Sequence, residues 1–308
     1  MMQSRTVHKL PAREFVKHRN GRGRPREVEI LSTGPGPYPV TVVIPTLDAD
    51  RGGYFGQLLK QIQGQTLKPL EIIVVKGDTR QGRAINIGAA LSRGRMLATM
   101  DDDTRLLAKD ALERLHDALA ARPDVGMAGG VNAIPDDAPP LVKKAMAQIP
   151  RRSTPPVDKV TDSDLAEHPL LMMKKEAFFA VGGENEVLPR GLDPYLRREF
   201  RSAGWRVVVV PGAAYAHLPP ESLSRLVSQF YRNGRQAAFV NRNYPRWVLE
   251  TPAGHGTDFS ARVPLPLRVP RYAWRMGRAA LTGKWLLLLT QAAYALGFAR
   301  GWVTPGGE

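Results

Sequence analysis

RMLATMDDDTRL, residues 95–106, decides how the rest of the chain is read. A largely apolar run of strand length, Met96 to Met100, ends in three consecutive carboxylates, Asp101, Asp102 and Asp103. Three like charges side by side repel one another and resist dehydration. Two arrangements would favour them. A hard divalent cation, Mg2+ or Mn2+, neutralises clustered oxygen ligands and commonly shares its shell with phosphate oxygens. Alternatively, the aspartates are the acidic start of a helix expected from residue 107, where negative charge is favoured.

The flanking pattern separates the two. PVTVVIPTLD holds Val40, Val42, Val43 and Ile44, a β-branched run that stops at Pro45, and LEIIVV (70–75) is a second such run. VGMAGGV (125–131) is a weaker third. Helical patterns lie between them. Phe55, Leu58, Leu59 and Ile62 share a face, and residues 81–93 read as a helix stopped by Gly94. Leu107, Ala111, Leu112, Leu115 and Leu119 mark an amphipathic helix over 107–121. This alternation predicts an α/β fold with a mostly parallel sheet flanked by helices. Ligands bind such sheets at the carboxyl ends of the strands. Asp48, the Lys76–Asp78 turn and the aspartate run are all expected at that edge, which favours the cation.

Residues 132–169 are Pro-rich and read as a long loop across that face. HPLLMMKKEAFFAVGG returns to strand and helix, 195–203 reads as helix, WRVVVVP (205–211) as strand, and 221–241 as a basic helix.

The 308 residues allow one large α/β domain with appendages. Hydrophobic residues at 43% and charged residues at 24% describe a globular chain. The absence of cysteine excludes a disulfide framework, a Cys metal site and a Cys nucleophile, and suits a reducing compartment such as the cytoplasm. Lys and Arg number 44 against 29 Asp and Glu, giving +15. The excess lies largely at the ends: residues 1–40 hold eight Lys/Arg and three Glu, and residues 261–308 hold seven and one. Basic ends suit an anionic membrane surface or nucleic acid. No apolar segment follows the basic N-terminus, so no signal peptide is expected.

Three parts are expected: a flexible basic arm over 1–38, a catalytic domain over 39–245, and a C-terminal helical segment over 246–308. WLLLLTQAAYALGFA (285–299) has no charge and falls short of the ~20 residues that span a bilayer. With Arg271, Arg275, Arg278 and Lys284 before it and Arg300 after, it is expected to lie on the inner face of a cell membrane. A packed core helix and a short span are the other readings.

VTVVIPTLD, EIIVV, GRAINIGAALSRGRMLATMDDD, MMKKEAFFAVGG and GLDPYLRREFRSAGWRVVVVPGAAYAH, in this order, resemble the family-2 glycosyltransferases over about residues 40–240. The resemblance implies a GT-A nucleotide-sugar fold and an inverting, metal-dependent sugar transfer. The donor would be a nucleotide sugar; the acceptor would be an envelope glycan or a polyprenyl-linked hydroxyl. Asp103 would bind Mg2+ or Mn2+, with His217 completing the shell. Asp101 and Asp102 would meet the donor, and Pro45, Thr46, Asp48, Asp78 and Arg83 would border the nucleotide. Asp193 would be the general base. Arg232 and Arg235 would sit near the diphosphate or an acceptor phosphate. Two positions depart from the family. Lys76-Gly77-Asp78-Thr79 stands where an Asp-Asp-Gly-Ser turn is usual, which leaves the nucleobase open. Leu192 stands where a Glu precedes the base.

From the residues alone, Asp193 could equally cap a helix before Pro194, His217 could be structural, and 224–239 could be a solvated basic face. A nucleotidyltransferase would use the same carboxylates, but IPTLDADRGG is a poor version of the Gly-rich basic loop that holds a triphosphate. A nucleic-acid binder would explain +15 but not aspartates at the ligand edge, so no nucleic acid is expected as a partner.

Overall fold

The computed structural model describes residues 3–7, 27–256, 259, 261 and 263–304. The chain opens with β1 (Gln3–Val7) and β2 (Glu27–Ser32). β2 buries Val28, Ile30 and Leu31 in the sheet, so the expected arm gives way to core structure before residue 38. Residues 8–26 lie outside the described ones.

β3 (Val40–Thr46), α1 (Tyr54–Gln63), β4 (Leu70–Lys76), α2 (Gln81–Leu91) and β5 (Met96–Thr99) follow as the alternating pattern demands. β3 and β4 are covered on both faces, which is why they read as unbroken β-branched runs. Then come β6 (Thr104–Leu106), α3 (Ala111–Ala120), β7 (Val125–Asn132), α4 (Pro140–Gln148) and β8 (Thr161–Asp162). The expected long loop over 132–169 therefore contains a helix. β9 (Leu171–Lys174), α5 (Lys175–Ala180), α6 (Leu192–Ser202), β10 (Arg206–His217), α7 (Leu223–Asn243), α8 (Leu265–Leu281) and α9 (Trp285–Val303) complete the chain.

The strands form one sheet in the order β1-β2-β4-β3-β5-β9-β7-β10-β6, with β8 also on β10. It is mixed, not mostly parallel. β4-β3-β5 and β7-β10 are parallel pairings, whereas β1-β2-β4, β5-β9-β7 and β10-β6 are antiparallel. An apolar run reports burial on two faces but carries no direction, so the reversed strand β9 between the two parallel groups could not be read from composition.

Helices cover both faces. Phe55, Leu58 and Ile62 of α1 and Leu112 and Leu115 of α3 pack on one side. Ile85 of α2, Phe178 of α5 and Leu196 and Phe200 of α6 pack on the other. Each such side chain contributes roughly 1.5–3 kcal/mol on full burial.

The C-terminal segment is not an appendage. Leu286 and Ala293 of α9 share a core with Leu226 and Phe230 of α7 and Ala145 and Ile149 around α4. α7 and α9 cross almost backbone to backbone. A Cβ on Gly234 would fall 2.0 Å from the Tyr294 carbonyl oxygen, and one on Gly297 would fall 2.0 Å from that of Tyr231. Among the described residues, no helix is long and apolar enough to cross a membrane.

Candidate active site

The carboxyl ends of β3, β4 and β5 open into a cleft of about 920 Å3, within the ~300–1,000 Å3 range usual for small-ligand sites. Its lining includes Pro45, Thr46, Arg51, Asp78, Gln81, the three aspartates and His217, with Arg225, Gln229 and Arg232 of α7 on the far wall.

The aspartates do not act alike. The Thr46 hydroxyl donates to Asp102 Oδ2 at 2.6 Å, which pins Asp102 to the end of β3. Asp101 and Asp103 share a different group of partners. His217 Nε2 lies 3.2 Å from Asp103 Oδ1 and 4.0 Å from Asp101 Oδ2. Pairing of β6 with β10 makes this meeting possible, because the antiparallel register sets His217 opposite Thr104. Asn132 Oδ1 accepts the His217 backbone N–H at 3.1 Å and fixes the strand end.

One ligand atom from each of Asp101, Asp103 and His217 lies within 4.8 Å of the other two. Cis ligands held ~2.1 Å from an octahedral ion lie ~3 Å apart, so small side-chain movements would close this set on Mg2+ or Mn2+. Two carboxylates and one imidazole also suit such an ion chemically.

The electrostatics divide the two aspartates: the shortage of positive charge falls on Asp101. Burial pushes the Asp101 carboxyl up to about 6, an effect that His217 offsets and Asp103 increases. Burial also acts on Asp103, but the His217 hydrogen bond and Arg51 outweigh it and hold Asp103 well below the usual carboxylate range. For His217, burial opposes protonation, yet the Asp103 bond prevails and raises it.

Arg51, which sequence reasoning missed, is the protein's own cation here. Its Nε and Nη2 donate to Asp103 Oδ2 at 3.2 and 3.0 Å. The loop carrying it is strained: Ala49 and Arg51 have φ of 56° and 50°, followed by Gly52 and Gly53, also at positive φ. Asp48 braces this loop by accepting the N–H groups of Asp50 at 3.1 Å and Arg51 at 3.3 Å. Asp48 is thus a loop brace and not a cleft wall. The strain, not any motif, was the available signal: DADRGG combines a capping Asp with two glycines around one Arg. Gln81 was missed too; its Nε2 donates to Asp101 Oδ1 at 2.6 Å from the start of α2.

Asp78 lines the cleft, but its carboxylate already serves the protein. Arg83 grips it through Nε at 2.8 Å and Nη2 at 2.7 Å, and the Arg80 N–H adds a bond at 2.9 Å. Arg83 therefore supports Asp78 instead of facing the cleft. Arg232 lies on the cleft wall. Arg235 does not: its backbone abuts the position a Cβ on Gly301 would take, on the α9 side.

Asp193, in the first turn of α6, is not among the residues that line the cleft. Its Oδ1 accepts the His168 backbone N–H at 2.7 Å. Burial opposes its ionisation, but His168 and Arg197 prevail and lower it. His168 itself belongs to a buried network not anticipated from sequence. Its Nε2 meets Glu184 Oε2 at 2.8 Å and its Nδ1 meets the Thr99 hydroxyl at 3.0 Å, on the strand that leads into the aspartates. Burial would lower His168, but Asp193 and Glu184 hold it up at about 9.

No family model matches the sequence, and no curated protein matches it. Among solved structures, the chain is similar to the mannosyltransferase PcManGT from Pyrobaculum calidifontis, determined in complex with GDP-Man and Mn2+. The TM-score is 0.57 at 16% identity, over 87% of this chain and 88% of that one. Two structures of TarS from S. aureus, one in complex with UDP-GlcNAc, give TM-scores of 0.43 and 0.44 at 13% and 12% identity. Both cover 66% of this chain, and the chain spans 40% and 66% of their lengths. At these identities the likeness to PcManGT is one of fold: a mixed α/β architecture shared with a glycosyltransferase.

Proposed function

We propose that the protein is a metal-dependent, inverting glycosyltransferase of the family-2, GT-A type. It would move a sugar from a nucleotide-sugar donor to a hydroxyl of an envelope glycan or polyprenyl-linked acceptor. The observation that carries this reading is the convergence of Asp101, Asp103 and His217 on the floor of a donor-sized cleft at the strand ends. The shared fold with a glycosyltransferase supports it.

Asp101, Asp103 and His217 would hold Mg2+ or Mn2+. When bound, the ion would neutralise charge growing on the leaving diphosphate. The chain's own residues do the remaining work. Thr46 and Asp102 stiffen the junction between β3 and the aspartate loop. Arg51 can leave Asp103 for a phosphate oxygen and so add a second cation to the leaving group. Arg225 and Arg232 make no ion pair among the described residues, and would face the diphosphate or an anionic acceptor. Asp193 is held ionised, with Oδ1 fixed by His168. It would take the acceptor proton through Oδ2, and a single in-line displacement would invert the anomeric centre. Asp78 is committed to Arg83, so the nucleobase is read by other groups of the cleft.

The test is thermal unfolding with a panel of nucleoside diphosphates and nucleotide sugars, with and without Mn2+. A ligand at a hundred times its dissociation constant stabilises by about 2.7 kcal/mol. A shift for one base that requires Mn2+ and vanishes in Asp103→Ala is expected. No shift across the panel would reject the reading.

A further inference from the structure

The segment expected on a membrane was 285–299, yet one side of α9 is spent on α7. What α9 leaves outward is also apolar. Trp285, Leu289, Ala292, Leu296, Ala299 and Val303 recur at three- and four-residue spacing and share one face. All six are exposed, Leu296 to 67%. α8 continues this theme. Leu267, Trp274 and Leu281 stand seven residues apart on one stripe, with Trp274 exposed to 76% and Leu281 to 91%. Soluble surfaces carry single exposed apolar residues freely, but contiguous stripes of them mark a binding surface.

The charge on these helices indicates the occupant. From residue 259 to residue 307 the sequence has no Asp or Glu. Arg275, Arg278, Lys284 and Arg300 border the apolar stripes and make no ion pair among the described residues. Three of the chain's five tryptophans, Trp274, Trp285 and Trp302, are exposed here, and Trp is favoured where hydrocarbon meets headgroups. A second copy of the chain fits poorly, because pairing these faces would bring like charges together with no carboxylate to separate them.

We infer that the outward faces of α8 and α9 dock on an anionic lipid bilayer, α8 lying in the headgroup layer and α9 fastening that layer to the catalytic body. The tie is direct, since α9 packs on α7 and α7 supplies Arg225 and Arg232 to the cleft. The acceptor would therefore arrive in the plane of the membrane.

The purified full chain is tested by co-sedimentation with vesicles of phosphatidylcholine alone or mixed with phosphatidylglycerol. Binding to the mixed vesicles, weakened by salt, is expected. Replacing Arg275 and Arg278 by Gln should weaken it about fivefold per charge. The triple variant Trp274→Glu, Leu281→Glu, Leu296→Glu alters only exposed positions and should lose vesicle binding while keeping its melting temperature and its nucleotide-induced shift. Equal binding by wild type and triple variant, or no binding to anionic vesicles, would overturn the inference. So would a concentration-dependent dimer in sedimentation that the triple variant abolishes. Vesicle binding without any nucleotide shift would reject the transferase reading and leave this one standing.

Discussion

The protein contains two clusters built from the same residue types, and they have opposite characters. On the cleft floor, Asp101, Asp103 and His217 are partly open to water, and Asp101 is left short of positive charge because Asp103 takes both His217 and Arg51. Outside the cleft lining, His168, Glu184 and Arg197 are sealed and each has a partner within the chain, whereas the half-buried Asp193 spends only Oδ1, on the His168 N–H. The two are close enough to act on each other: Asp193 and His168 both influence Asp101. The difference lies in how completely each carboxylate is neutralised by its own chain. A cluster that meets its own needs becomes part of the fold, whereas one left short of positive charge can accept a cation from outside.

Substitutions in the two clusters should therefore have separate readouts. Asp103→Ala should lower kcat/KM roughly a thousandfold, the scale of several kcal/mol of lost charge stabilisation. Its stability without metal should stay near wild type, as followed by urea unfolding. Glu184→Leu should do the reverse in kind: leaving buried His168 unpaired should cost about 3–5 kcal/mol. The double variant Glu184→Leu, His168→Leu should regain much of that loss. If Asp103→Ala unfolds the chain, or Glu184→Leu does not weaken it, the distinction fails.

The pH profile offers a gentler division. His168 is raised to about 9, so its contribution to stability is complete below ~6.5 and is lost as pH rises through about 9. Asp101 is a raised carboxyl, so its ionisation costs the folded chain stability as pH climbs from ~4 to about 6. The melting-temperature gain from Mn2+ should consequently grow as pH passes about 6. Flat dependence on pH there would place the ion elsewhere.

The smallest expected effect concerns Arg51. It competes with any cation for Asp103 Oδ2 through a pair that is half exposed on its own side. Exposed pairs of this kind are worth up to ~1 kcal/mol, so Arg51→Ala should tighten Mn2+ binding by about fivefold at most in titration calorimetry.

Much of this arrangement was legible in the sequence. β3, β4 and β5 and the helices between them follow from apolar spacing, and the carboxylate-bearing edge follows from where β5 ends. What failed was information that spacing does not contain. Strand direction is absent from an apolar run, so the strand expected in HPLLMMKK was found as β9 but its reversal was not foreseen, and the three-residue β6 was not foreseen at all. Consecutive aspartates point different ways, and only the loop's path shows that Asp102 turns to Thr46. Asp78 lines the cleft and Asp48 lies on the loop beside it, and their partners, Arg83 and the 50–51 backbone, decide what they do. His168 and Glu184 are linked by no motif and meet only through tertiary packing.

The pairing of His217 with Thr104 has a consequence in time. Asp103 and His217 are 114 positions apart (217 − 103), so the third donor reaches the other two only after the last strand, β10, has paired with β6. A growing chain emerging from the ribosome holds its aspartates long before it has the imidazole to complete them. An ion bound by these three residues would therefore not be a template for early folding but an inspector of the finished fold, held firmly only by a chain in which β10 has docked on β6 in register.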